Sequence, residues 1–226
     1  MLFEKEREAV IKAGRKLDRY GLIALSGGNV SWRLPGGEIL VTPSGMIYED
    51  LIAEDILVID IDGNIIEGAR TPSVDTQALL YIYKHRSDIN AIVHTHQPYA
   101  TAVSLVASEL PCCVTTLANA TWGAVKVCPF ASAASIDMGV ETVKYAGAQL
   151  AVILKNHGVI AFGDSLKQAL YAAVYLEEAA KTYILARSMG SEVAVLTPAQ
   201  VEQAVEVFRY YGQGKIPMPE EVTKQR

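Results

Sequence analysis

The stretch Asn90-Ala-Ile-Val-His-Thr-His-Gln97 (NAIVHTHQ) decides how the rest of the chain is read. A short apolar run between polar residues predicts a buried strand. It ends in His94 and His96, two of only four histidines in 226 residues. Residues two apart on a strand point the same way. Both imidazoles therefore face one side if extended geometry persists through Thr95. Histidine is the commonest protein ligand for transition metals at neutral pH, so His-x-His at a strand end is a bidentate clamp. Local hydrogen bonding of both rings is the alternative. A third histidine, His157 in KNHGVI, also stands at the edge of an apolar strand, beside a glycine. Three histidines that leave one coordination position open form the donor set of a catalytic rather than a structural metal. The fourth, His85 in YKHRSD, reads as a solvated or capping residue at a charged helix end.

Outward from this strand, the chain alternates between helical and extended texture. Phe3 to Tyr20 carries apolar residues at helical spacing and stops at Gly21. SGGNVSWRLPGGEILVTPSG predicts two strands joined at Pro35-Gly36-Gly37, and ILVIDIDGNIIEG a hairpin turning at Asp62-Gly63. Helices are expected from Asp75 to Lys84, Pro98 to Val106, Asp137 to Ala148 and Ser165 to Ala186. A last one, capped by Thr197-Pro198, reaches about Tyr210. Val125 to Pro129 reads as a strand, and AVILKNHGVIAFG as two strands bent at Asn156-His157-Gly158. Helices interleaved with hairpin-connected strands predict one α/β or α+β domain over 1–226, with a mobile tail from about 213.

The totals exclude several classes. A net charge of -5 without a basic stripe argues against a nucleic-acid surface. No apolar run is long enough to span a bilayer, and the N-terminus MLFEKEREAV has no signal-peptide core. Cys112, Cys113 and Cys128 show neither zinc-ribbon nor disulfide spacing, which suits a reduced, cytoplasmic protein. Cys112 and Cys113 read as small hydrophobes in a strand-like stretch, Trp32 and Trp122 as packing residues, and Glu177-Glu178 as an ordinary helix face. Asp75, opening a helix after Pro72-Ser73, is on spacing alone a carboxylate favoured by the helix dipole. SGGN (Ser26 to Asn29), TPSG (Thr42 to Gly45) and TPSVD (Thr71 to Asp75) supply bare amides and small hydroxyls, the elements of an anion nest. None is a Walker or dinucleotide fingerprint.

The order SGGNVS, TPSG, PSVD, VHTH, NHG and YYG resembles the class II aldolase/adducin family. It is most similar to the branch of L-fuculose-1-phosphate aldolase and L-ribulose-5-phosphate 4-epimerase, from residue 3 to about 212. The resemblance implies a three-layer αβα fold with a central, mainly antiparallel sheet. It implies a divalent ion held by His94, His96 and His157, usually zinc, with manganese and cobalt compatible with the same ligands. It implies a homotetramer with active sites between subunits and a sugar phosphate as the small-molecule partner. Phosphate binding falls on Gly28, Asn29, Ser44, Gly45 and Ser73, and catalytic roles on Asp75 and Tyr211. The chain departs from the pattern at Val74, where the second serine of Pro-Ser-Ser stands in relatives. It departs again at Thr115 or Thr116, where the aldolases carry a tyrosine, and at Asn119, where the epimerases carry an aspartate. Asp75-Thr76 and YYGQ follow the epimerases. TPSG and Asn119 favour retro-aldol cleavage of a ketose 1-phosphate of the L-fuculose type. Epimerisation, another lyase reaction such as dehydration or decarboxylation, and a metal-free adducin-type scaffold are the alternatives.

Overall fold

The computed structural model describes residues 1–210. Tyr211 and the expected tail lie outside the described residues. Helix α1 (Glu4–Arg19) has acidic residues in its first turn and Lys16 and Arg19 in its last, the charge order that complements the helix dipole. It buries Val10, Ile11, Ala13 and Leu17 along one stripe. Strands β1 (Asn29–Arg33) and β2 (Ile39–Val41) form the first hairpin, and β3 (Leu57–Ile59) and β4 (Ile65–Glu67) the second. Two short 3-10 turns, Tyr48–Asp50 and Ala53–Asp55, lie between them. Helix α2 (Thr76–His85) leads to β5 (Ala91–Thr95), α3 (Pro98–Val106), β6 (Glu109–Leu110) and α4 (Thr115–Thr121). Then follow β7 (Val125–Cys128), α5 (Ile136–Ala146), β8 (Ala151–Leu154), β9 (Gly158–Gly163), α6 (Leu166–Ser188) and α7 (Pro198–Arg209).

The nine strands make one sheet in the order β4-β3-β2-β1-β5-β9-β8-β7-β6. Every neighbouring pair is antiparallel except β7 with β8. Side-chain alternation splits its apolar residues between two faces. Leu40, Val58, Val93, Ala161 and Ile153 pack with residues of α1, α3, α4 and α6. Ile39, Ile59, Ile92, Ile160, Phe162 and Val152 pack with residues of α2 and α5. This is the expected three-layer αβα arrangement. Because both faces are covered, β5 is buried along its whole length, and only its ends can present polar groups to a cleft.

Some expectations are corrected. The segment after β6 is not a strand: Cys112 and Cys113 lie in coil, the first buried and the second half-buried, before the unforeseen helix α4. Trp32 packs on the core, but Trp122 is exposed in a left-handed conformation at the end of α4 and lines a shallow groove beside α7. His85 matches its reading: it is exposed, with Nδ1 against the Tyr81 carbonyl.

One buried cation ties the first helix to the sheet edge. Arg7, 1% exposed, donates to the carbonyls of Leu2, Ala53 and Ile56 and to Glu67 Oε1 at 3.0 Å. Arg7→Ala strands those acceptors, so it is expected to destabilise by about 2–4 kcal/mol. Denaturant unfolding, with the slope unchanged, measures this directly.

Candidate metal and catalytic site

The three histidines converge at the end of the sheet. His94 is in β5, facing Asn29 of β1 on one side and Ile160 of β9 on the other. Strand geometry persists through Thr95, so His96 emerges on the same side. His157 sits in the tight turn from β8 into β9, its amide bonded to the Leu154 carbonyl. Ring centroids are 4.9 Å apart for His94 and His96, 4.8 Å for His94 and His157, and 5.2 Å for His96 and His157. One ligand atom from each lies within 4.8 Å of the others.

Two glycines allow this crowding. A Cβ on Gly28 would meet the His94 carbonyl oxygen at 2.4 Å, and one on Gly158 would meet that of Thr95 at 2.1 Å. Only bare backbone can press against the end of β5 from both sides.

His94 is oriented for donation to a cation. Its Nδ1 lies 2.9 Å from the Val159 carbonyl oxygen. A carbonyl only accepts, so Nδ1 carries the proton and Nε2 presents a lone pair. That Nε2 is buried and has no hydrogen-bond partner among the described residues. An unpartnered buried imidazole nitrogen, aimed at two further imidazoles, fits a divalent ion. Burial, chiefly, pushes His94 down to about 4, with the neighbouring imidazoles lowering it further and Asp75 opposing. Burial also lowers His96 and His157. All three are therefore neutral at pH 7, the form that binds metal.

The same shifts predict acid sensitivity. The folded state of the metal-free protein resists protonation of His94 down to about pH 4, whereas an unfolded imidazole takes up its proton near 6.5. The unfolded chain then binds more protons, and stability falls as pH drops from about 6.5 to 4. Urea unfolding of metal-free protein across this window is expected to show the decline, and His94→Asn to flatten it.

Asp75 stands at the N-terminus of α2, where the helix dipole favours a carboxylate, but its side chain is engaged elsewhere. It occupies the position before α2 but caps no amide of that helix. Its Oδ2 accepts from Asn29 Nδ2 at 2.9 Å, and its Oδ1 from the Ala134 amide at 3.0 Å. Oδ2 stands 3.9 Å from His94 Nε2, with Asp75 6% exposed. The carboxylate thus borders the histidine cluster, close enough to exchange protons with a molecule bound there.

The expected phosphate residues come from adjoining loops. Pro43 and Pro72 pair as an isolated antiparallel bridge. The Ser44 amide bonds to the Thr71 carbonyl at 2.9 Å, and that of Ser73 to Thr42 at 3.0 Å. Thr42-Pro43-Ser44 and Thr71-Pro72-Ser73 therefore run side by side. Ser44 is half-buried, Gly45 exposed with φ 71°, and Ser73 buried with Oγ facing the Asp75 amide. Val74 is 59% exposed. Asn29 joins the two halves: its Nδ2 holds Asp75, and its buried Oδ1 has no partner among the described residues.

Sequence reasoning missed two residues behind the site. Gln97 is fully buried, and its Nε2 donates to the Ala173 carbonyl of α6 at 2.8 Å. Glu177 is not an ordinary helix-face residue. It is 7% exposed and accepts from the amides of Tyr99 and Ala100, each at 2.9 Å. The signal was present in Pro98, which marks a helix start whose following amides need a partner. Which helix would supply it was not.

The family model described as class II aldolase and adducin N-terminal domain matches residues 8–184. A 5-deoxy-D-ribulose 1-phosphate aldolase of Bacillus thuringiensis serovar kurstaki is 34% identical over 214 residues, covering 94% of this chain and all of its own. A 5-methylthioribulose-1-phosphate/5-deoxyribulose-1-phosphate aldolase of Rhodospirillum rubrum is 31% identical, covering 94% of this chain and 96% of its own. A solved L-fuculose 1-phosphate aldolase superposes with a TM-score of 0.87 at 33% identity, over 93% of this chain and 99% of that one. With the histidine cluster, the paired Thr-Pro-Ser loops and the antiparallel sheet already in place, the chain belongs to the class II aldolase and adducin family.

Proposed function

We propose that this protein is a divalent-metal-dependent aldolase that cleaves a ketose 1-phosphate to dihydroxyacetone phosphate and an aldehyde. The observation that carries the reading is the unpartnered Nε2 of His94 among three close imidazoles, with the Asp75 carboxylate 3.9 Å away. His94, His96 and His157 hold the ion, with zinc our first choice. When bound, it supplies the Lewis acidity that polarises a substrate carbonyl. Gly28, Asn29, Ser44, Gly45 and Ser73 receive the phosphate. Asp75 exchanges the proton on the carbon freed as the carbon–carbon bond breaks. Tyr211, beyond the described residues, is assigned the role of donating to the departing aldehyde oxygen, from a neighbouring subunit of a homotetramer. The whole chain acts as one unit in the cytoplasm. Among the described residues no helix is long and apolar enough to cross a membrane.

The two relatives above 30% identity that are named for 5-deoxyribulose 1-phosphate move our proposed sugar from the fuculose type to a 5-deoxypentulose 1-phosphate. Metal-loaded protein is to be given 5-deoxyribulose 1-phosphate, 5-methylthioribulose 1-phosphate, L-fuculose 1-phosphate and L-ribulose 5-phosphate. Release of dihydroxyacetone phosphate is followed by a coupled assay. Cleavage is expected with the first in preference to the third. Inversion of L-ribulose 5-phosphate with no cleavage of the others would replace the aldolase reading by the epimerase.

A further inference from the structure

His94 is fixed by the sheet; His96 and His157 are tied by their amides to the Leu22 and Leu154 carbonyls. Each of these two lies beyond a strand end, and no hydrogen bond holds either ring among the described residues. Their spacing must come from what holds the backbone on either side. Helix α3 starts two residues after His96. Pro98 has no amide hydrogen to satisfy, and Tyr99 and Ala100 both donate to the Glu177 carboxylate of α6. One turn earlier on α6, the Ala173 carbonyl holds Gln97. Helix α6 therefore grips the residues that follow His96 without any local side-chain cap. Two turns into α3, buried Ser104 meets the other loop. Its Oγ accepts from the Asn156 amide at 3.1 Å, and its carbonyl from Lys155 Nζ. Asn156 is in the left-handed region, φ 58°, which asparagine adopts more readily than most residues, as suits a tight turn.

We propose that α3 is a fixed spacer between the two loop histidines, and that Glu177 and Ser104 are positioning residues that set where His96 and His157 stand. The inference rests on the triad being a metal site, and it concerns groups that touch neither metal nor substrate. Glu177 acts at the His96 end and Ser104 at the His157 end. Losing either lets one ring drift while the other two stay.

The test uses the full chain, stripped of metal and titrated with Co²⁺, whose visible absorption reports ligand geometry. Glu177→Ala and Ser104→Ala are each expected to weaken Co²⁺ binding about tenfold or more, the range for groups that orient metal ligands, and to change the band shape. Glu177→Gln keeps one acceptor and should fall between wild type and Glu177→Ala. Glu178→Gln, on the exposed side of α6, should match wild type. A purely structural role would lower the denaturation midpoint and leave affinity and spectrum of the folded fraction alone. Should Glu177→Ala fail to fold, Glu177→Gln and Ser104→Ala decide the matter. Wild-type affinity and spectrum in these variants overturn the proposal. No Co²⁺ binding by the wild type instead overturns the metal reading, and this one with it.

Discussion

Replacing His94 by alanine is expected to remove the bound divalent ion and lower kcat/KM for cleavage by at least about a thousand-fold. The magnitude follows from the Lewis-acid contribution to carbonyl polarisation, which is several kcal/mol, at about 1.4 kcal/mol for each factor of ten. Of the three proposed ligands, His94 is the one whose orientation is set most firmly, by the Val159 carbonyl behind it and by pairing on both edges of β5. Two imidazoles on loops do not retain an ion as three do. Since His94 is buried, the variant also leaves a void, so the comparison needs a second site. His157→Ala, in a turn and half-buried, removes a ligand with less disturbance of packing. Both should lose metal by elemental analysis and lose turnover together. Retention of metal and activity in His157→Ala would refute the triad.

The second large effect is expected at Asp75. Asp75→Asn should lower kcat about 10²- to 10⁴-fold, the usual contribution of a positioned acid or base, while metal content stays near wild type. The surroundings allow an amide there. One side-chain oxygen continues to accept from the Ala134 amide. The new NH₂ group would face Asn29 Nδ2, another donor, but Asn29 can turn over, because its buried Oδ1 has no present partner among the described residues. The hydrogen bond is thereby reversed rather than lost, and the loops around Ser44 and Ser73 keep their support. A single-turnover measurement with saturating metal separates chemistry from binding. Near-full activity would transfer the proton step to another group.

Much of the fold was legible because periodicity is local. The alternation around Pro35-Gly36-Gly37 gave β1 and β2, and the run before His94 gave β5, with its two histidines on one side. Helix α4 was hidden, since TTLANAT is short, uncharged and rich in threonine. Strand β6 has only two residues. Strand order was also beyond reach. That β5 lies between β1 and β9 depends on pairings between distant segments, which no window of sequence contains. The same limit explains the misreading of Glu177 and why the partners of Asp75 were not foreseen. Each sits where a helix carboxylate is ordinary, and each is redirected by a partner remote in the chain: Asn29 and Ala134 for one, the start of α3 for the other.

The seating of His94 between β1 and β9, with His157 delivered only by the turn into β9, has a consequence for the folding equilibrium. The triad needs β5 and the turn into β9 together, so a partly folded chain offers an ion at most the His94–His96 pair. An ion held by all three, as proposed, would bind the finished molecule in preference to its precursors and shift the balance toward it by mass action. Cells short of the ion would accordingly hold less of this protein, not merely a less active form of it.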